Sequence, residues 1–557
     1  MKNRILAGLI SAALTIGFAV PTVAAAEKQQ IIVGYHGDAD GSGDINSQDL
    51  PIYRDFLLGE NGNGFDGEYI DANGDEIIDI FDLQRVRENI LRPDISQAIV
   101  QEVEIPDNPP KKADFIDAPI KPVNHSLPSQ GDAFLLEFYV DFPDCRYDYE
   151  PNIDEIRRFS FGAEDENNPN YPFESFSAFF KRSSKGVMKL KGDVFRYTAK
   201  HEKLYYESDR YAIERECLKE LDGIIDYSKF DGDGDKIIDA MLVTVPKAAG
   251  KEHWWPTTCY FYEDIPTCDG VSPGFEILGN SQIESPTDCV NFVSSYVHEM
   301  CHCMGIPDFY LFNSYDYEGF HGTGGADLMD VDRMSDLDCF AKLMLGWYRE
   351  DQIWYYVPSR DDDFDENFGM ENYDEMHRLI LKNAQSDDGN CLIIPRGEVE
   401  DGYFTEYFIA EYITKGGNNT YIANLDNQYY YPIGEGIRIF HISAELYDNW
   451  GSVEFKWENA SSYRKGSDDG IRLIRLVGDE RKNDTLFNFD EDKDIYISSE
   501  TVASFAWYDN SGRERVNPYV KITPISLENG EYTIKVEKNG KTPVSDSANN
   551  NRGWDYW

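Results

Sequence analysis

The sequence predicts a multidomain chain: a small α-helical module of paired loop–helix repeats, an α+β domain, and a β-rich, sandwich-like C-terminal domain. Three observations predict it. Two Asx-rich loops, at 38–49 and 71–82, repeat one another, and each precedes an apolar-periodic helical run. A His-Glu-x-x-His signature at His298–His302 follows apolar residues at helical spacing and lies downstream of strand-like segments. After residue 355 the pattern turns to short apolar runs divided by Gly, Asn and Asp.

The chain has 557 residues, enough for several domains. It carries 52 Lys+Arg against 102 Asp+Glu, which excludes nucleic acid and membranes as partners, because both reward basic patches. Residues 1–26 read as a secretory signal peptide: Lys2 and Arg4, an apolar run from Ile5 to Val20, then Ala24-Ala25-Ala26 before a mature start near Glu27. A secreted, extracellular protein is expected. Nine scattered cysteines leave at least one unpaired and announce no disulfide framework, so buried free thiols are expected for most.

The first repeat offers Asp38, Asp40, Ser42, Asp44, Asn46 and Asp49 at loop positions 1, 3, 5, 7, 9 and 12. The second offers Asp71, Asn73, Asp75, Ile77, Asp79 and Asp82 at the same positions. Position 7 contributes its backbone carbonyl, and the set is what a hard, oxygen-seeking Ca²⁺ requires. With one helix after each loop and Asp at position 12, residues 31–95 resemble a type I-like dockerin. That resemblance implies two calcium ions, a cohesin module of a scaffoldin as partner, and a place in a cellulosome. It also implies that Ser47, Gln48, Ile80 and Phe81 help select the cohesin. Glu76 stands where a turn glycine is expected, which predicts a weaker second site.

Residues 96–130, with Pro106, Pro109, Pro110, Pro119, Pro122 and Pro128, read as a Pro-rich linker. The α+β domain follows over 131–355. It opens with an apolar strand at 133–142, with helices around Phe173–Phe180 and Tyr211–Leu221 and a hairpin over Gly186–Phe195 between them. Asp231, Asp233, Asp235 and Asp239 repeat the carboxylate spacing of the first loops without an acid at position 12. They form a third candidate calcium loop, and an acidic turn is the alternative.

On a helix His298 and His302 share a face and can grip one metal ion, with Glu299 placed to act on a water. Gly305 lets the chain turn back toward the site, and Asp327-Leu328-Met329-Asp330 looks like a methionine turn, with Met329 a hydrophobic floor. The run from His298 through Gly305, Pro307 and Asp308 to Tyr310 is similar to the immune inhibitor A type of secreted metallopeptidase. Further stretches agree, among them Phe138–Phe142, Leu345-Gly346-Trp347, Phe408–Glu411 and Gly436–Ile442, so the similarity runs from about 130 to 445. It implies a metzincin-like catalytic domain with one catalytic zinc, a protein or peptide substrate, and Glu299 as general acid–base. Asp308 is the expected third ligand, with Glu318, Asp327 and His321 as alternatives.

Residues 356–540 read as a β-rich domain and 541–557 as a disordered tail. His441 and Glu411 within that half read as a satisfied core histidine and an ion-paired acid. A competing function is a non-catalytic, scaffold-attached protein-binding module on a peptidase fold.

Overall fold

The computed structural model describes residues 28–58, 70–92, 98–104, 125–356, 376–459, 471–477 and 507–538, with short gaps inside these ranges. The signal peptide, the tail, Asp38, Asp40, Ser42, Asp44, Asn46, Gln48, Asp75, Glu76, Glu318 and His321 lie outside the described residues. The chain divides into two compact units, Met1–Asp107 and Asn108–Trp557.

In the first unit, strand β1 (Lys28–Tyr35) precedes helices α1 (Asp49–Leu57) and α2 (Ile80–Leu91), and β2 (Ala98–Glu104) pairs antiparallel with β1. Tyr53 of α1 and Val86 of α2 are fully buried with Ile70 and Ala72, and Tyr53 Oη donates to Ile70 O at 2.7 Å. Helix α2 starts at Asp79 because its carboxylate accepts from Phe81 N (2.7 Å) while Asp82 accepts from Asp79 N (2.7 Å), a reciprocal cap. The strand at 98–104 corrects the expected linker start at 96. Ile99, Val100 and Val103 favour extended pairing, and prolines begin again only at Pro106.

The second unit is built on a five-stranded sheet of β3 (Gly131–Asp141), β4 (Met188–Thr198), β5 (Ala240–Thr244), β6 (Thr257–Tyr260) and β7 (Phe275–Gly279), in the order β4-β3-β5-β7-β6. All pairs are parallel except the edge strand β6, which runs antiparallel to β7. Helices α3 (Ile153–Phe161), α4 (Phe176–Ser183), α5 (Ala212–Glu220) and α6 (Val290–Cys303) supply its two apolar layers. Leu135, Tyr139, Leu242 and Ile277 share one core with α3, α4 and α6, while Leu136, Phe138, Val140, Met241 and Val243 share the other with α5. Burial on both faces is why β3 reads as a continuous apolar run.

The hairpin expected over Gly186–Phe195 is instead one strand, β4, parallel to β3 throughout. Gly192 marks a close approach rather than a turn: a Cβ there would lie 2.1 Å from Leu135 O and 2.5 Å from the Phe161 ring. The unit also begins before 131. Ser126 N and Leu127 N donate to Cys303 O at 3.0 and 3.1 Å, and Ser126 Oγ donates to Asp239 O at 2.6 Å.

Beyond helix α7 (Cys339–Met344) come β8 (Ile353–Tyr355), β9 (Met376–Lys382), β10 (Cys391–Pro395), β11 (Glu406–Ile413), β12 (Gly436–Ser443), β13 (Ile474–Leu476), β14 (Val520–Glu528) and β15 (Glu531–Lys538). They form a sheet of order β8-β10-β11-β12-β13 and an antiparallel sheet of order β9-β15-β14. The expected domain break at 355/356 is not a break in packing. Val297, Met300, Met329 and Phe340 share one apolar core with Ile393, Phe408, Ile439 and Phe440, and every residue of α7 is buried. All nine cysteines are free, and seven are buried. No helix of the described residues is long and apolar enough to cross a membrane.

Candidate metal centre

Helix α6 presents His298 and His302 one turn apart, with ring centroids 4.9 Å apart and planes at 88°. Gly305 follows at φ +90°, a left-handed conformation that suits glycine, and reverses the chain beyond the helix end. Ile306 N returns to Cys301 O at 3.0 Å, and His302 Nδ1–H donates to Ile306 O at 2.7 Å. Two residues on, Asp308 Oδ1 lies 3.1 Å from His298 Nε2 and 3.4 Å from His302 Nε2. The ligand atoms of all three side chains fall within 4.8 Å of one another. The fold thus brings Asp308, the third ligand expected from the sequence, beside the two histidines.

The hydrogen bonds fix what these atoms can do. His298 Nδ1 faces Leu328 O at 2.9 Å, as His302 Nδ1 faces Ile306 O. A carbonyl only accepts, so both Nδ1 atoms carry hydrogen. A neutral imidazole in that tautomer turns its Nε2 lone pair toward the Asp308 carboxylate, an arrangement that only a proton or a cation between them relieves. The donor set of two imidazoles and one carboxylate, each imidazole held through its far nitrogen by a carbonyl, fits a zinc ion. Burial disfavours the Asp308 anion, but the two histidines outweigh it and hold the carboxyl well below the usual range. Burial likewise disfavours the His302 cation, and Asp308 more than restores it.

Glu299 sits beside this cluster, nearly buried, and Thr258 Oγ1 donates to its Oε2 at 2.7 Å and to its backbone O at 3.1 Å. Thr258 lies on the edge strand β6, and no local pattern in the sequence marks it. Met329 is fully buried: its N donates to Asp327 Oδ1 (2.6 Å) and its O accepts from Phe309 N (2.9 Å). Asp327, an alternative third ligand, spends its oxygens on Met329 N and Asp338 N, and burial and then Asp338 push its carboxyl up. It belongs to the support of the turn. Cys301 and Cys303 flank His302, but burial pushes both thiols well above their ordinary range, which keeps them protonated. Glu458 was also missed by the sequence reading; burial, then Glu454 and Asp308, raise its pKa.

Asp231, Asp233 and Asp239 come together within 4.8 Å, whereas Asp235 stays outside that group. Their oxygens already accept backbone N–H groups: Asp231 from Gly234 and Lys236, Asp233 from Asp235, Asp239 from Gly232 and Phe134. His441 Nε2–H donates to Glu406 Oε1 (2.9 Å) and Glu411 pairs with buried Arg438 (2.6 Å), both in the interior of the β-rich half.

In the first unit, Asp82 accepts from Asp79 N and Asn73 N, and Asp49 and Asp82 are fully buried. Ile77 is exposed, Ser47 is exposed, and Ile80 and Phe81 present 58% and 61% of their surface, which leaves these apolar side chains open to a partner. Residues 36–91 match the Dockerin type I domain. No curated protein matches the chain. Residues 36–91 of the first unit are thus a dockerin module, of the kind that binds calcium and attaches to a cohesin on a scaffold.

Proposed function

We propose that the chain is a secreted zinc-dependent endopeptidase, held on a cellulosome through calcium-dependent binding of its dockerin to a cohesin. The observation that carries the peptidase reading is the convergence of His298 Nε2, His302 Nε2 and Asp308 Oδ1 beside Glu299. His298, His302 and Asp308 would hold the ion. When bound, zinc supplies Lewis acidity, polarising the scissile carbonyl and bringing the pKa of water toward about 7.

The protein's own groups do the rest. Leu328 O and Ile306 O lock both imidazoles in the tautomer that offers Nε2. Asp308 offsets one positive charge and keeps the imidazoles oriented. Thr258 pins one oxygen of Glu299, so the carboxylate is aimed before substrate arrives. Glu299 takes the proton from the attacking water and delivers it to the departing amine.

Cleavage of a proteome-derived peptide mixture by wild type and Glu299→Gln, each with and without chelator, tests the reading. The substitution is expected to lower cleavage by roughly 10²–10⁴-fold, the usual span for a lost general base, with zinc still bound. Cleavage persisting through both the substitution and chelation sinks the zinc assignment. Zinc binding with no cleavage by wild type would favour a protein-binding module instead. Binding to cohesins in calcium and in EGTA tests the other unit, and no calcium-dependent partner among them would refute the attachment.

A further inference from the structure

The Asp308 carboxylate is placed by the backbone that carries it. On the helix side, that backbone is tied by Ile306 N to Cys301 O and by Ile306 O to His302 Nδ1. On the far side, Phe309 N donates to Met329 O at 2.9 Å, and Phe309 O accepts from Asn459 Nδ2 at 2.8 Å. Asn459 belongs to the β-rich half, just beyond the strand Ser452–Phe455, and stands 150 positions away in sequence. Its amide is fully engaged: Nδ2 also donates to Ile474 O at 2.7 Å, and Oδ1 accepts from Ile474 N at 3.2 Å. The side chain therefore bridges β13 to the residue after Asp308, and it is 5% exposed.

We propose that Asn459 is a positioning residue for the metal centre: it fixes the Phe309 peptide and so holds Asp308 against the two imidazoles. This rests on the zinc reading above. It also gives the β-rich half a part in that site. Without the amide, the buried Phe309 carbonyl loses its donor, and the backbone after Asp308 is held on that side by the Phe309 N–Met329 O bond alone. The ties at Ile306 and Leu328 remain, so His298 and His302 keep their tautomers. The loss falls on the third ligand. Aspartate cannot substitute, because the site needs two N–H donors and one acceptor, and a buried carboxylate supplies no donor.

The test uses the full chain, stripped of metal and titrated with zinc against a chromophoric chelator. Asn459→Ala and Asn459→Asp are expected to weaken zinc binding by roughly ten- to a hundredfold, the usual consequence of removing a group that orients a ligand. Lys456→Ala, on the same segment, where the partly exposed ammonium pairs with half-buried Glu445 and lies over the Trp457 ring, is expected to stay within about twofold. If the alanine variant does not fold, Asn459→Ser keeps a hydroxyl in the same space, and its zinc affinity is expected to fall in the same direction. A purely structural role would lower the unfolding temperature of the metal-free protein and leave the zinc affinity of the folded fraction unchanged; that result overturns the proposal. If the wild type binds no zinc, the zinc reading fails and this inference with it. Equal, tight binding by wild type and folded variants overturns the positioning role alone.

Discussion

His298, His302 and Asp308 on one side, and Asp231, Asp233 and Asp239 on the other, each bring three ligand atoms within 4.8 Å. The two clusters differ in what their atoms are already doing. In the loop, Asp231, Asp233 and Asp239 accept five backbone N–H bonds. The turn is satisfied as it stands. At the histidine cluster backbone carbonyls hold the Nδ1 atoms, and both Nε2 atoms face one carboxylate, 3.1 and 3.4 Å from Asp308 Oδ1. That arrangement asks for a cation. Proximity of acids is therefore a weaker sign of a metal site than imidazoles that carbonyls hold in place with both far nitrogens turned to one carboxylate.

The comparison breaks most directly at the ligand itself. Asp308→Ala should weaken zinc binding by more than the roughly 10–100-fold seen when only an orienting partner is lost. Asp233→Ala, at the exposed end of the loop, should leave zinc affinity and peptide cleavage as they are. Competition titration of both variants measures this. Equal zinc affinity in Asp308→Ala and wild type would remove Asp308 from the ligand set.

A buried carboxylate with neither metal ligands nor a cation beside it sharpens the contrast. Glu137, on β3, accepts from Ser160 Oγ at 2.6 Å, and its other oxygen has no hydrogen-bond partner among the described residues. Burial pushes its carboxyl up to about 8 from 4.5. The folded state thus holds a proton that the unfolded state releases between about 4.5 and 8. Stability contributed by Glu137 is full below that window, falls as pH rises through it, and levels off above about 8. The swing is on the order of 3–5 kcal/mol. Glu137→Gln keeps an acceptor for Ser160 without titrating, so it should gain on wild type between pH 5 and pH 8 in chemical unfolding. Parallel stability curves would show that the carboxyl is not held protonated.

The legible part of the site was the part written in local spacing. His298 and His302 share a helix face, and Gly305 marks the reversal that delivers Asp308, so three residues were readable over a stretch of eleven positions. Thr258 and Asn459 reach the same place from 41 and 150 positions away, and a lone Thr or Asn carries no spacing to detect. The fold divides similarly. The apolar runs of β3, β11 and β12 announced strands, because their hydrophobicity follows from burial. Gly192 was misread since a glycine needed for close approach looks the same in sequence as one needed for a turn. The β-rich half was visible as a pattern, but its shared core with the half that carries the histidine cluster depends on tertiary contacts that no pattern encodes.

The smallest expected effect lies at the loop, and it decides whether the two clusters belong to one class. Asp231 accepts from Gly234 N at 2.7 Å and from Lys236 N at 3.1 Å, and Lys236 itself stands at φ +73°. Asn at position 231 retains one acceptor and turns an N–H₂ toward the other donor, so one of the two bonds is lost at a partly exposed site. The cost should be about 1 kcal/mol. Each accepting oxygen keeps a second lone pair, so calcium is free to bind there without being needed for the turn. Unfolding of Asp231→Asn and wild type, each in calcium and in EGTA, separates these terms. A shift of about 1 kcal/mol in EGTA with unchanged peptide cleavage is the expected result. Loss of cleavage, or of several kcal/mol, would mean that the loop depends on an ion as the histidine cluster is proposed to, and the distinction between the two clusters would fall.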